Sequence, residues 1–117
     1  MPLPSSSGRL PDLDPGQAAA LLDRGEAVLI DVREPDEWAA GHAPEATHLP
    51  LGGVNPDAVP SGTTVIAVCR SGNRSGRAAE LLAAAGIPVH NLAGGMTAWA
   101  AAGLPVLTDD GQPGGIT

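Results

Sequence analysis

Cys69 is the only cysteine of this chain, and it follows the apolar run Thr64-Val65-Ile66-Ala67-Val68. It opens the stretch Cys69-Arg70-Ser71-Gly72-Asn73-Arg74-Ser75-Gly76-Arg77, which leads into an Ala/Leu-rich segment. Three of the six basic residues lie in those nine positions and no acid does; since the net charge is −7, the rest of the chain carries −10. A compact positive spot on so acidic a protein surrounds its one soft nucleophile. A free thiol has a pKa of about 8.5, and nearby cations or a helix N-terminus lower it by one to several units. Gly72 permits a sharp turn from strand to helix, and such a turn aims successive backbone N–H groups inward as a nest for an anionic sulfur or an oxyanion. The structural alternatives are a buried, inert Cys69 and arginines that form a solvated helix face; the second suits Arg77 better than Arg70 or Arg74, which flank the turn.

Several further stations give the chain a family likeness. Leu29-Ile30-Asp31-Val32-Arg33, Gly41-His42-Ala43-Pro44-Glu45-Ala46, the loop from Cys69 to Arg74, Leu92-Ala93-Gly94-Gly95-Met96-Thr97-Ala98-Trp99 and Gly103-Leu104-Pro105 together resemble a single rhodanese domain, the sulfurtransferase family, over residues 13 to 107. In that family's Gly-His-Ile-Pro-Gly-Ala turn, Ala43 replaces the isoleucine and Glu45 the second glycine. If that glycine requires positive φ, Glu45 would be strained and the turn rearranged. Four residues separate Cys69 from Arg74. Protein tyrosine phosphatases have five there, in a ring that seats a tetrahedral phosphate, so the resemblance favours sulfur transfer over phosphate chemistry.

The resemblance implies double displacement through a Cys69 persulfide, a form of nucleophilic catalysis. Thiosulfate would be the donor, and cyanide or a thiol the thiophilic acceptor. Backbone N–H groups of residues 71 to 75 would stabilise the charged sulfur, with Arg70 and Arg74 gripping the donor's sulfonate. Ser71, Gly72, Asn73 and Ser75 complete the expected substrate loop, and Ser75 has an equal claim to be a helix cap. Asp31, Arg33 and His42 are supporting residues: Asp31 is expected to accept hydrogen bonds from loop backbone, and His42 to order its turn. The rival reading is a non-enzymatic persulfide carrier or a regulatory protein-binding module, which would make a sulfur-relay protein the partner.

Composition excludes other classes. With 117 residues, 43% of them hydrophobic, there is room for one domain and one core, and an aromatic content of 2% leaves that core to Ala, Leu, Val and Ile. A pI near 4.6 without a basic stripe argues against nucleic acid. One cysteine allows neither an internal disulfide nor a resolving thiol. His42, His48 and His90 lack the spacing of a closed zinc set, so neither metal nor cofactor is expected. The N-terminal residues do not resemble a secretory leader and no apolar run reaches membrane-spanning length, so no membrane is expected and a cytoplasmic location is the default.

The elements that must position Cys69 follow from punctuation. Asp14-Pro15 starts a helix through Arg24 and Gly25 ends it; a strand covers Val28 to Val32; Glu34-Pro35 starts a short helix closed by Gly41. Thr64 to Val68 is the strand before the loop. A helix from about Ser75 to Ala85 is expected to bury Ala78, Leu81, Leu82 and Ala85, a strand covers Val89 to Leu92, and a last helix surrounds Trp99. Trp38 and Trp99 read as core or rim packing, with Trp99 and Met96 also placed to wall the entrance near the loop. Apolar strands alternating with helices predict an α/β, rhodanese-like fold, a central parallel sheet flanked by helices on both faces. Residues 1–12 and 108–117 read as flexible tails around it.

Overall fold

The structure, a computed structural model, describes residues 8–117. Helix α1 (Pro15–Asp23) starts where the sequence requires. The Asp14 side chain accepts from the Gln17 N–H at 2.8 Å and the Gln17 side chain accepts from the Asp14 N–H at 3.0 Å, a reciprocal cap that contributes about 1 kcal/mol. The chain then passes through β1 (Val28–Asp31), α2 (Pro35–Ala40) and β2 (Thr47–His48), two single 3₁₀ turns at Leu51–Gly53 and Pro56–Ala58, β3 (Val65–Val68), α3 (Asn73–Ala84), β4 (Val89–Asn91) and α4 (Gly95–Ala101). The four strands form one parallel sheet in the order β2-β1-β3-β4.

Alternation along the strands sorts the core into two layers. Ile30, Val32, Val65, Ala67 and Val89 face Ala78, Ala79, Leu82 and Ala83 of α3. Leu29, Ile66, Val68 and Leu92 face Ala18 of α1 and Met96 and Trp99 of α4. Each large apolar side chain so buried contributes about 1.5–3 kcal/mol. Cys69 continues the Val65, Ala67 series and joins the α3 layer, so the period of the strand turns its sulfur toward the start of α3.

The buried stripe of α3 differs from the expected one. Ser75, Ala78, Ala79, Leu82 and Ala83 are buried, while Leu81 is 43% exposed and Ala85 is exposed. The stripe is counted from Ser75, which the loop turns inward, and the next positions on that face are three, four, seven and eight residues on. Met96 and Trp99, at 0% and 1% exposure, belong to the core rather than to an entrance wall. Glu45 is exposed, and no non-glycine residue among those described has positive φ, so the turn accommodates it without strain.

Both segments expected as tails make backbone hydrogen bonds where they are described. Residues 8–13 run alongside β4, with Leu10 N–H donating to Val89 O at 2.9 Å, Val89 N–H to Gly8 O at 3.0 Å and Leu13 N–H to Asn91 O at 3.0 Å. They cover the sheet edge that β4 would otherwise present; residues 1–7 lie outside the described residues. At the other end Leu107 and His42 exchange backbone hydrogen bonds at 2.8 and 2.9 Å, Gly115 N–H donates to Ala40 O at 2.9 Å, and Ile116 packs on the α1/α4 layer. The reversal that brings residues 113–116 back passes through Gly111 at φ 81°. A Cβ on Gly41 would stand 2.6 Å from Gly115 O, so a glycine is required where the segment crosses.

Candidate active site

Strand order reverses between β1 and β3. The chain leaves β1 through α2 toward β2, and leaves β3 through α3 toward β4 in the opposite direction, which opens a crevice at the carboxyl ends of the two central strands. Cys69 stands at the end of β3 and is 1% exposed. Behind it, Met96 N–H donates to Cys69 O at 2.7 Å and Thr97 N–H to Arg70 O at 3.0 Å, so the first turn of α4 holds the loop backbone. Gly95, at φ 60°, permits this: a Cβ there would lie 2.4 Å from Cys69 O.

The loop then folds around the sulfur. Gly72 takes the left-handed conformation, φ 112°, as the cap of α3, and its N–H donates to Cys69 Sγ at 3.1 Å. Ser75, fully buried in the first turn of α3, places its Oγ 3.3 Å from Sγ. Burial pushes the Cys69 thiol up, but the Ser75 hydroxyl and the N–H groups of Ser75, Gly72 and Ser71 more than offset it, and the net shift is down from an ordinary thiol. Ser75 is therefore a sulfur contact; the cap of α3 is Gly72, without a side-chain hydrogen bond. Ser71, Asn73 and Arg70 have exposed side chains at the rim. Arg77 is exposed one turn further along α3, on the solvated face.

Arg74 is placed differently from Arg70. It donates from Nη1 and Nη2 to Glu37 Oε1 and Oε2 at 2.6 and 2.8 Å, so α2 and α3 are joined across the crevice. The Arg74 guanidinium, with help from the Glu34 N–H, holds Glu37 down at about 2 despite partial burial. Glu37 in turn raises Arg74 above its ordinary range, and the charge of Cys69 adds to that.

The supporting residues form a separate group. Asp31 and Arg33 are both 0% exposed; Arg33 donates to Asp31 from Nε at 3.0 Å and from Nη2 at 2.8 Å, and Nη2 also donates to Gly41 O at 2.8 Å. Asp31 Oδ1 accepts the Arg33 backbone N–H at 3.0 Å as well, so it orders the start of the loop that carries α2. His42 Nδ1 is 2.7 Å from Trp38 O, and its ring stacks on Trp38 with centroids 3.5 Å apart; His48 stacks on the same indole at 4.7 Å. His90 Nδ1 is 2.7 Å from Pro11 O. No group of three or more His, Cys, Asp or Glu side chains among the described residues could hold a metal ion, and no helix there is long and apolar enough to cross a membrane.

Two residues absent from the expected set complete the site. Glu37 reads in the sequence as one of a solvated pair with Asp36, and no local feature marks its contact with Arg74 of α3. Asn91, on β4, accepts from Ser75 Oγ at 2.6 Å and donates from Nδ2 to Gly72 O at 3.0 Å. Asn91 ends the short strand Val89-His90-Asn91, a place that carries no local signal for either contact.

Comparison with known proteins agrees with this architecture. The rhodanese-like domain model matches residues 14–102. A sulfurtransferase of Allochromatium vinosum is 38% identical over 94 residues, covering 78% of this chain and 88% of that protein. An uncharacterized protein of Synechocystis is 40% identical over 96 residues, covering 80% of this chain and 54% of that protein, so the chain spans about half its length. Among solved structures, a thiosulfate sulfurtransferase from Pseudomonas aeruginosa superposes with a TM-score of 0.76 at 28% identity, over 92% of this chain and 22% of that one. With the matched domain covering most of its length and the parallel sheet and strand-end cysteine loop in place, this chain belongs to the rhodanese-like family.

Proposed function

We propose that the protein is a sulfurtransferase that carries sulfane sulfur on Cys69 as a persulfide, with thiosulfate as the small-molecule donor and cyanide or a thiol as acceptor. The observation that carries this reading is the seating of Cys69 Sγ between the Gly72 N–H and the Ser75 hydroxyl at the N-terminus of α3. The sulfurtransferase relative of Allochromatium vinosum supports the same class. Thiolate Cys69 attacks the outer sulfur of thiosulfate, forming an S–S bond as the donor's own S–S bond breaks and sulfite departs with the electron pair. The acceptor then attacks the outer sulfur of the persulfide, and Cys69 leaves as thiolate. Hydrogen bonds preorganised on the sulfur stabilise the thiolate at the start and end of the cycle. Arg70, exposed at the rim, is the cation available to the donor's sulfonate, whereas Arg74 is committed to Glu37 and braces the loop.

The test is thiocyanate formation from thiosulfate and cyanide. Wild-type protein is expected to turn over steadily, and Cys69→Ser to fold with an unchanged circular dichroism spectrum and form no thiocyanate above background. Wild-type-like turnover by Cys69→Ser would end the proposal.

A further inference from the structure

Ser75 has one hydroxyl hydrogen and two acceptors within reach. Its Oγ lies 3.3 Å from Cys69 Sγ and 2.6 Å from Asn91 Oδ1, and the residue is fully buried. The other end of the Asn91 amide fixes its orientation: Nδ2 donates to Gly72 O at 3.0 Å, and a flipped amide would set Oδ1 against that carbonyl oxygen. Asn91 thus touches two of the residues whose hydrogen bonds act on the sulfur. It meets Ser75 through the hydroxyl and Gly72 through the carbonyl of the residue whose N–H donates to Sγ at 3.1 Å.

We propose that Asn91 is a positioning residue that competes with Cys69 for the single Ser75 proton and thereby sets the reactivity of the sulfur. A neutral thiol is a weak acceptor, so with Cys69 protonated the hydroxyl points to Asn91 Oδ1, the closer partner. Loss of the thiol proton to solvent creates a charged acceptor, and the hydroxyl turns to Sγ. The part of the cycle that follows rests on the persulfide reading. When Sγ bonds to the donor's outer sulfur and sulfite leaves with the electron pair, the negative charge moves to the terminal sulfur and the hydroxyl returns to Asn91. Attack by the acceptor regenerates the thiolate and draws it back.

The other charges around Cys69 do not supply this competition. Arg70 and Arg74 belong to its own loop, and Glu37 of α2 pairs with Arg74. On β1, Asp31 is in register with Val68 and is paired with Arg33. The α4 segment that holds Cys69 O carries no charged side chain.

The experiment is the pH dependence of Cys69 alkylation by iodoacetamide in wild type, Asn91→Leu, Ser75→Ala and the double variant. It reads the free thiol, so its outcome does not depend on whether the chain transfers sulfur. Asn91→Leu is expected to lower the midpoint by about half a unit to one unit, because the hydroxyl is left with the sulfur alone. In the Ser75→Ala background the same substitution is expected to leave the midpoint unchanged. If Asn91 is only a peg for the Gly72 carbonyl, its loss loosens the Gly72 N–H and raises the midpoint in both backgrounds. That result, or no shift in the single variant, overturns the proposal. Asn91→Val, with a strand-compatible side chain, gives the same reading if Asn91→Leu does not fold.

Discussion

Glu37 and Arg74, 37 positions apart in the sequence, meet as a bidentate ion pair at 2.6 and 2.8 Å. The pair spans the crevice in which Cys69 lies, so α2 and α3 are held together by a contact between two side chains. Arg74 thereby braces α3 to α2, whereas the Arg70 side chain is exposed at the rim.

Glu37→Gln should expose that brace in the pH dependence of stability. Glu37 titrates at about 2 in the folded chain against an ordinary 4.5, so its contribution is full above the ordinary value and is lost as pH falls through the folded one. Arg74 is about a third exposed, and solvent screening reduces the net effect to about 1 kcal/mol. Chemical denaturation near neutral pH should therefore find Glu37→Gln less stable by about that amount, with the gap narrowing from pH 4.5 toward pH 2. A constant gap across this range would mean that the carboxylate charge contributes nothing.

Arg70 and Arg74 should separate by donor. Arg70→Ala is expected to weaken thiosulfate use by about 1.5–3 kcal/mol, roughly ten- to a hundredfold in kcat/KM, while sparing a small persulfide donor without a charged end. Arg74→Ala should lower activity with both donors to a similar extent, since it releases the loop from α2 and leaves Glu37 unpaired. A thiosulfate-selective loss in Arg74→Ala would return that side chain to the donor site.

The parts of the site legible in the sequence are those whose cause is local. Cys69, Gly72 and Ser75 lie within one strand-turn-helix, where the end of an apolar run, a glycine and the onset of a helical stripe announce the geometry. Contacts made across the fold carry no such mark. Glu37 and Asn91 reach the loop from α2 and β4, and nothing in the residues beside them points to Arg74 or Ser75. The α3 stripe was displaced because Leu81 fits a helical period as well as Ser75 does, and only the inward turn of the loop decides between them. Residues 1–12 and 108–117 looked like tails by composition, yet backbone hydrogen bonds, which any sequence can make, tie Gly8, Leu10 and Leu13 to α3 and β4, and Leu107 and Gly115 to the His42 turn and the end of α2.

The buried Asp31–Arg33 pair gives a prediction of stability rather than chemistry. Arg33→Met removes the cation and leaves Asp31, 0% exposed, without its charged partner. Such a loss costs about 3–5 kcal/mol, readable as a lower urea midpoint at unchanged slope. Replacing both residues by apolar ones of similar volume should recover part of it. Wild-type stability in Arg33→Met would show that Asp31 does not depend on this pair.

Intact-mass measurement of the protein after incubation with thiosulfate, followed by cyanide, tests most directly whether Cys69 carries the transferred sulfur. Wild type is predicted to gain the mass of one sulfur atom and to lose it on cyanide treatment with release of thiocyanate, while Cys69→Ser gains none. A wild-type protein whose mass never changes under thiosulfate, or a Cys69→Ser variant that gains the same sulfur, would contradict the account.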